Sequence, residues 1–296
     1  MFDLRYHVAS LAAVFFALVI GILVGVALAS HGLGNTERDR LQEDLRRAEN
    51  RADVLRSQLD ALREDSKADD EFVKKTYNVV VADRLKGKKI AVLSVGPVDP
   101  DLQSWIGQAL RDAGAEDTLR LRALEAPINE TALGKRLAKR PFLAAYAGDG
   151  KLDKLGQALG QEFVAGKDTP LWNVLQSAIV SERHGPSKPP ADGVIVVRSV
   201  EAQMGPTARF LAGIYKGLRD IGVPVVGVEA SGDGASAMKD FQEAKLSTVD
   251  NVDERVGKLA LVILLSDPSE QGNFGTKDTA DHVLPTIRLL TTTTGG

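Results

Sequence analysis

From Val8 to Ala29 the chain carries 22 residues without a charge, and Ser10 is the only polar side chain among them. As a helix this run is about 33 Å long, enough to cross a hydrocarbon core of about 30 Å. No other stretch of the sequence approaches it. A secretory signal has a shorter apolar core, about 7–15 residues, and a small-x-small cleavage site. Ala27-Leu28-Ala29 has the small-x-small form, but the run is too long, so an uncleaved anchor over residues 8–30 is the expectation. Arg5 and the amino terminus favour residues 1–7 in the cytoplasm. Arg38, Arg40, Arg46, Arg47 and Arg51 favour the reverse. A long C-terminal domain is translocated largely regardless of such charges. The expectation is therefore a cytoplasmic N-terminus and an extracytoplasmic C-terminal domain at the cell membrane.

Small residues recur every fourth position in the span: Ala9, Ala13, Ala17, Gly21, Gly25 and Ala29. Gly21 and Gly25 form a GxxxG. A stripe of small side chains lets two membrane helices approach closely, so Ala13, Ala17, Gly21, Gly25 and Ala29 are the expected dimer face.

Residues 36–85 continue as a charged helix with an apolar seam. Leu41, Leu45, Ala48, Ala52, Leu55, Leu59 and Leu62 are spaced alternately four and three apart, an a/d heptad pattern. Thr36 is an expected helix cap, with Glu37 and Asp39 in the first turn. Two alanines weaken the seam. A neighbouring membrane helix pair raises its effective concentration, so a parallel homodimer is expected. The competing reading is an amphipathic helix packed on its own domain.

Residues 86–290 read as an α/β domain. Gly87 ends the long helix, and Ile90–Val95 is an apolar run of buried-strand type. Asp99-Pro100-Asp101 starts a helix to about Ala113, and residues 118–124 form the second strand. Two or three helices over 130–183 are an insertion, and residues 184–190 a loop. Residues 193–199 and 224–229 are strands; 206–221 and 235–244 are helices. Residues 259–265 are expected as the most apolar strand of all. This alternation predicts a Rossmann-like, mostly parallel sheet, with residues 291–296 as a disordered tail.

Composition excludes several chemistries. There is no cysteine, so no disulfide, thiolate metal site or cysteine nucleophile. With 37 basic and 40 acidic residues there is no basic surplus for nucleic acid. No catalytic motif is present. Gly232-Asp233-Gly234-Ala235-Ser236-Ala237 fits GxGxxA, which makes Gly232 and Gly234 candidates for a nucleotide site. The simpler expectation for these two is an ordinary tight turn. Asp250 and Asp253 are candidate ligands for a hard cation or a partner backbone, with helix capping the simpler expectation.

Arg5-Tyr6-His7 running into the span, the coiled coil, Ser247-Thr248-Val249-Asp250-Asn251-Val252-Asp253, and Gly272-Asn273-Phe274-Gly275 together resemble the actinobacterial MctB family. Its members are labelled copper transport or copper homeostasis proteins. The resemblance implies a single N-terminal anchor, a coiled coil and an extracytoplasmic, non-enzymatic domain. A branch of the family acts as a cell-envelope partner protein in cell separation, which gives the alternative of a scaffold for an envelope protein. The family has Tyr where this chain has Phe274, so no role of that hydroxyl carries over. Copper sites favour Cys, Met and His. Beyond residue 70 the soft donors are only Met204, Met238, His184 and His282, in separate segments. Copper is thus implied by the family label alone, no other cofactor is expected, and the metal ligands are unassigned.

Overall fold

The computed structural model describes residues 4–288 apart from 117, 147 and 233, and divides the chain into two units, residues 1–70 and 71–296. Helix α1 (Leu4–Val81) is continuous. It runs through residue 36, so Thr36 starts no helix. In the first unit Val8–Ala29 is long and apolar enough to cross a membrane, and none of it is buried in the chain. The seam leucines are also uncovered, from 52% exposed at Leu59 to 69% at Leu41. The polar sides carry short-range ion pairs such as Arg47–Glu43 (2.6 Å) and Arg56–Asp53 (3.3 Å). Each contributes only about 0.3–0.5 kcal/mol.

The second unit begins earlier than residue 86. Tyr77, Val81 and Leu85, on the last helical turn and just after it, are core residues of this unit. The Tyr77 hydroxyl donates to Asp112 (3.0 Å). The helix ends at Val81, and a turn carries the chain to Gly87, whose φ of +73° suits glycine.

Seven strands form one sheet: β1 (Ile90–Val95), β2 (Arg120–Leu124), β3 (Val180–His184), β4 (Gly193–Arg198), β5 (Val225–Val228), β6 (Ser247–Val249) and β7 (Asn273–Phe274). Their order is β3-β2-β1-β4-β5-β6-β7, parallel throughout except for antiparallel β3. Alternate side chains feed two cores. Ala91, Leu93 and Val95 face one, Ile90 and Val92 the other. The first core is covered by α3 (Glu130–Ala138), α4 (Leu152–Ala165), α5 (Pro170–Ile179), α6 (Gly205–Asp220) and α7 (Met238–Glu243). The second is covered by the end of α1, α2 (Pro100–Asp112) and α8 (Arg255–Ser266). The α/β expectation holds.

Four sequence expectations are corrected. Residues 259–265 are the middle of helix α8, buried on all sides between the sheet and α2. A helix buried all round has the same uninterrupted apolar run as a central strand. The helices of 130–183 are no insertion, since Leu133, Leu155, Leu159 and Leu175 are fully built into the first core. Helix α7 starts at Met238, because Ser236 and Ala237 are engaged by Glu229. Residues 180–184 form the edge strand β3. The following loop is held by buried Arg122, which donates to His184 O (2.6 Å) and Ser187 Oγ (3.0 Å), and by Arg120, which donates to Ser187 O (2.7 Å). Burial lowers both guanidinium groups to about 10.

Helices α4 and α6 touch backbone to backbone. Gly156 and Gly160 of α4 face Phe210 O and Ile214 O of α6, while Gly213 and Gly217 of α6 face Asp153 O and Gln157 O of α4. A Cβ at any of these positions would strike backbone, which has little freedom to shift. Gly217→Ala is expected to cost about 1–3 kcal/mol. Gly134→Ala, in open space within helix α3, is expected to stabilise by about 0.5–1 kcal/mol. Urea unfolding of both variants in the full chain measures the difference in sign.

Candidate functional site

The two C-terminal sequence motifs meet at the end of the sheet. Strand β6 pairs with β7 through Thr248–Asn273 and Val249–Phe274. Thr248 Oγ1 donates to Asn273 Oδ1 (3.0 Å), and the Asp250 amide donates to Phe274 O (3.2 Å). Asp250, 1% exposed, accepts from the amides of Thr276 (2.8 Å) and Lys277 (3.1 Å). Its carboxylate fills the space a Cβ on Gly275 would need, and Gly275 has φ +142°. The Phe274 ring lies against Gly272, at φ +146°. Asp250, Gly272, Phe274 and Gly275 therefore interlock, and the Asp250 carboxylate is engaged by the chain itself.

The joint extends to β5. Lys277 Nζ donates to Glu229 Oε1 (2.7 Å) and Ala230 O (3.1 Å), with both side chains largely covered. Glu229 also accepts from Ser236 Oγ (2.8 Å) and the Ala237 amide (2.8 Å). Asp253 accepts from the amide of Ser231 (2.7 Å) and from its hydroxyl. Helix α8 is capped by neither aspartate: its N-cap is Glu254, without a side-chain bond. The capping expectation fails because Asp250 and Asp253 point across to the β7 turn and the β5 loop. Burial pushes the Asp253 carboxyl up, but the Ser231 hydroxyl and amide pull it down further, and it ends below the usual aspartate range.

The positions where open α/β sheets bind nucleotides are occupied by this chain's own groups. Such ligands sit beyond the strand ends at the switch in strand order, here between β1 and β4. There Val200 and Ser199 pack onto Gly96, and the Ser199 hydroxyl donates to Pro97 O. The start of α2 is capped by Asp99, whose Oδ1 accepts from Asp101 N (2.9 Å) and Leu102 N (3.2 Å). Gly232, at φ +108°, and Gly234 lie in the β5–α7 loop with open space around them. The amide just before α7 already faces the Glu229 carboxylate, where a pyrophosphate would sit. This geometry gives the nucleotide reading no support. Glu229 and Lys277 were not singled out in the sequence. A lone acid ending an apolar strand is the only local signal for Glu229, and Lys277 has none.

The profile of the family described as "Copper transport outer membrane protein, MctB" matches residues 1–285. The chain belongs to the MctB family. Proteins named "Copper transporter MctB" from Mycobacterium tuberculosis and Mycobacterium bovis are 26% identical to it over 305 aligned positions, covering 93% of this chain and 95% of theirs. The family is named for copper transport and not for an enzymatic reaction.

The soft donors of this MctB-family chain are scattered. Met204 is exposed at the start of α6, and Met238 is buried in α7. His184 pairs with Glu182 (2.8 Å) on β3, at one edge of the sheet. His282 bridges to Phe274 at the other edge. The strand spacings between them put these histidines on the order of 30 Å apart. Among the described residues no three His, Cys, Asp or Glu side chains group as a metal site. A tight Cu(I) site needs convergent soft ligands, and in the α/β unit the described soft donors lie in separate segments. The side chains of Arg5, Tyr6 and His7, and residues 291–296, lie outside the described residues.

Removing the Asp250 carboxylate strands two amides in the joint. Asp250→Ala is expected to cost about 2–4 kcal/mol, and Gly275→Ala to destabilise for the matching steric reason, both read from thermal or urea unfolding. Asp253 has a folded pKa below its unfolded value, so its contribution is present above about pH 4 and is lost as pH falls from there through the folded pKa. Asp253→Asn should therefore flatten the acid limb of the stability curve below about pH 4; an unchanged limb contradicts the Ser231 contact.

Proposed function

We propose that this protein serves copper homeostasis as a membrane-anchored, non-enzymatic homodimer whose α/β domain lies outside the cytoplasm and holds no tight copper site of its own. Membership of a family named for copper transport supports the process. The apolar span near the N-terminus supports the anchor. The scattered His and Met donors carry the indirect role: copper handling by this chain then runs through a partner or through the envelope. The sheet is open, with strands of two to six residues. Spanning barrel strands are about 9–11 residues long and close on themselves, so the α/β domain is read as standing outside the bilayer.

The dimer reading rests on two surfaces of the same helix. The small-residue face of the span, Ala13 to Ala29, and the seam from Leu41 to Leu62 are both uncovered in the single chain. Each suits a second copy in parallel. The second reading, an envelope scaffold that binds a protein partner in cell separation, uses the same anchor and dimer and differs in what the domain binds.

Competition of the purified full chain against a chromophoric Cu(I) chelator tests the central point. No stoichiometric capture is expected, while deletion of the gene still alters copper tolerance. Capture that is lost on changing His282 or Met238 to Ala would restore direct copper carriage. For orientation, Ser187→Cys or Ser269→Cys in this cysteine-free chain should react with an impermeant maleimide on intact cells. Reaction only after lysis would place the domain inside.

A further inference from the structure

A groove of about 500 Å³ lies between α6 and α7, beside the end of β4. That is within the usual size of small-molecule sites, about 300–1,000 Å³. Its wall is cationic. Lys216, Arg219 and Lys245 line it, and none forms an ion pair among the described residues. The neighbouring carboxylate of Asp220 accepts from Gln157 (2.6 Å) and Gln161 (3.0 Å) and is attracted by Lys216 and Arg219 without an ion-pair contact to either. Glu243 is the one lining acid without a partner among the described residues; Asp240 is taken by Arg198.

Arg198 gives the second observation. Its side chain is only 5% exposed. Nη1 donates to Asp240 and Nη2 to Ser236 O (2.8 Å), but buried Nε has no acceptor. Arg219 Nε is likewise buried and unpartnered. A buried donor without an acceptor costs about 1–3 kcal/mol, so each of these two groove-lining guanidinium groups keeps bonding capacity that no described residue uses. Between them the surface is apolar: Leu211, Ala212 and Ala244 line it, and the Tyr215 ring packs edge-on to Phe241 (5.7 Å).

We propose that this groove binds a small carboxylate with an apolar body, its anionic head on Arg219 and the lysines and its body on Leu211, Ala244 and the Tyr215 ring. Carboxylates take charge-assisted bonds from guanidinium groups. Inorganic phosphate shares the anionic head without the body. The site is independent of the copper reading, since it uses none of the His or Met donors considered there.

The absence of cysteine allows a local test in the full chain held in nanodiscs. Ala212→Cys places one thiol on the groove wall, and Ser269→Cys serves as the reference. An anionic methanethiosulfonate should modify the groove thiol faster than a cationic one of similar size, relative to the reference, by about thirtyfold, since one charge at 4 Å in water speeds the anion and slows the cation by about fivefold each. Adding Arg219→Gln and Lys216→Gln should bring that ratio to the reference value. Millimolar benzoate should slow modification of the groove thiol, and neutral benzamide should not. Slowing by benzoate alone supports the site with its apolar body. Slowing by inorganic phosphate as well supports the site with the cations sufficient by themselves. Equal rates for the two reagents, equal slowing by benzamide, or no slowing by either anion would overturn the proposal. An unchanged rate at the reference thiol and an unchanged circular dichroism spectrum confirm that the variants are folded.

Discussion

Among the described residues of helix α1, the apolar side chains from Val8 to Ala29 and the seam leucines from Leu41 to Leu62 are exposed in the single chain. The span from Val8 to Ala29 is uncovered throughout, and five leucines of the seam are each more than half exposed. An isolated helix in water draws little stability from propensity and local ion pairs, and gains most from packing an apolar face. The two stretches suit two different surroundings along one helix. Lipid can cover the first stretch. A protein surface with matching leucine spacing can cover the second, and we propose that a parallel copy of the same helix supplies it.

The second unit satisfies itself much more fully. Its sheet is apolar on both faces and covered on both, and α4 and α6 lie so close that four glycines stand in for a side-chain layer. At the strand ends, where an enzyme of this architecture would hold a ligand, this chain places Val200, Asp99 and Glu229. Asp250, Asp253 and Lys277 are spent in the same way, on amides, a hydroxyl and a carboxylate of their own chain. The conspicuous polar residues of the motifs thus build the joint of β5, β6 and β7. The unspent charge sits elsewhere, along the α6–α7 groove.

The sequence made much of this legible. The apolar span, the heptad seam, β1, β4, β5 and α6 follow from local period and composition, and they stand where the pattern puts them. The misreading of residues 259–265 has a physical cause: burial on all sides erases the period that separates helix from strand. Edge strand β3 was hidden because its polar residues Ser181, Glu182 and Arg183 follow helix α5 with no turn residue between them, so they read as its continuation. The joint of Asp250 with Gly275 needs contacts across 25 residues, which no local spacing reveals. The four glycines of α4 and α6 were visible as two GxxxG patterns at Gly156 and Gly213, yet their meaning appears only when the two helices cross.

We propose that two copies pair in parallel along the seam, with equivalent positions facing each other. Single cysteines in place of Leu45 and Leu59 measure it directly, because each occupies the same type of seam position and would meet its own copy. Under mild oxidation in native membranes both should cross-link, while cysteines in place of Arg47 or Asp60, off the seam, should not. Equal cross-linking at all four positions, or none at Leu45 and Leu59, would contradict the account.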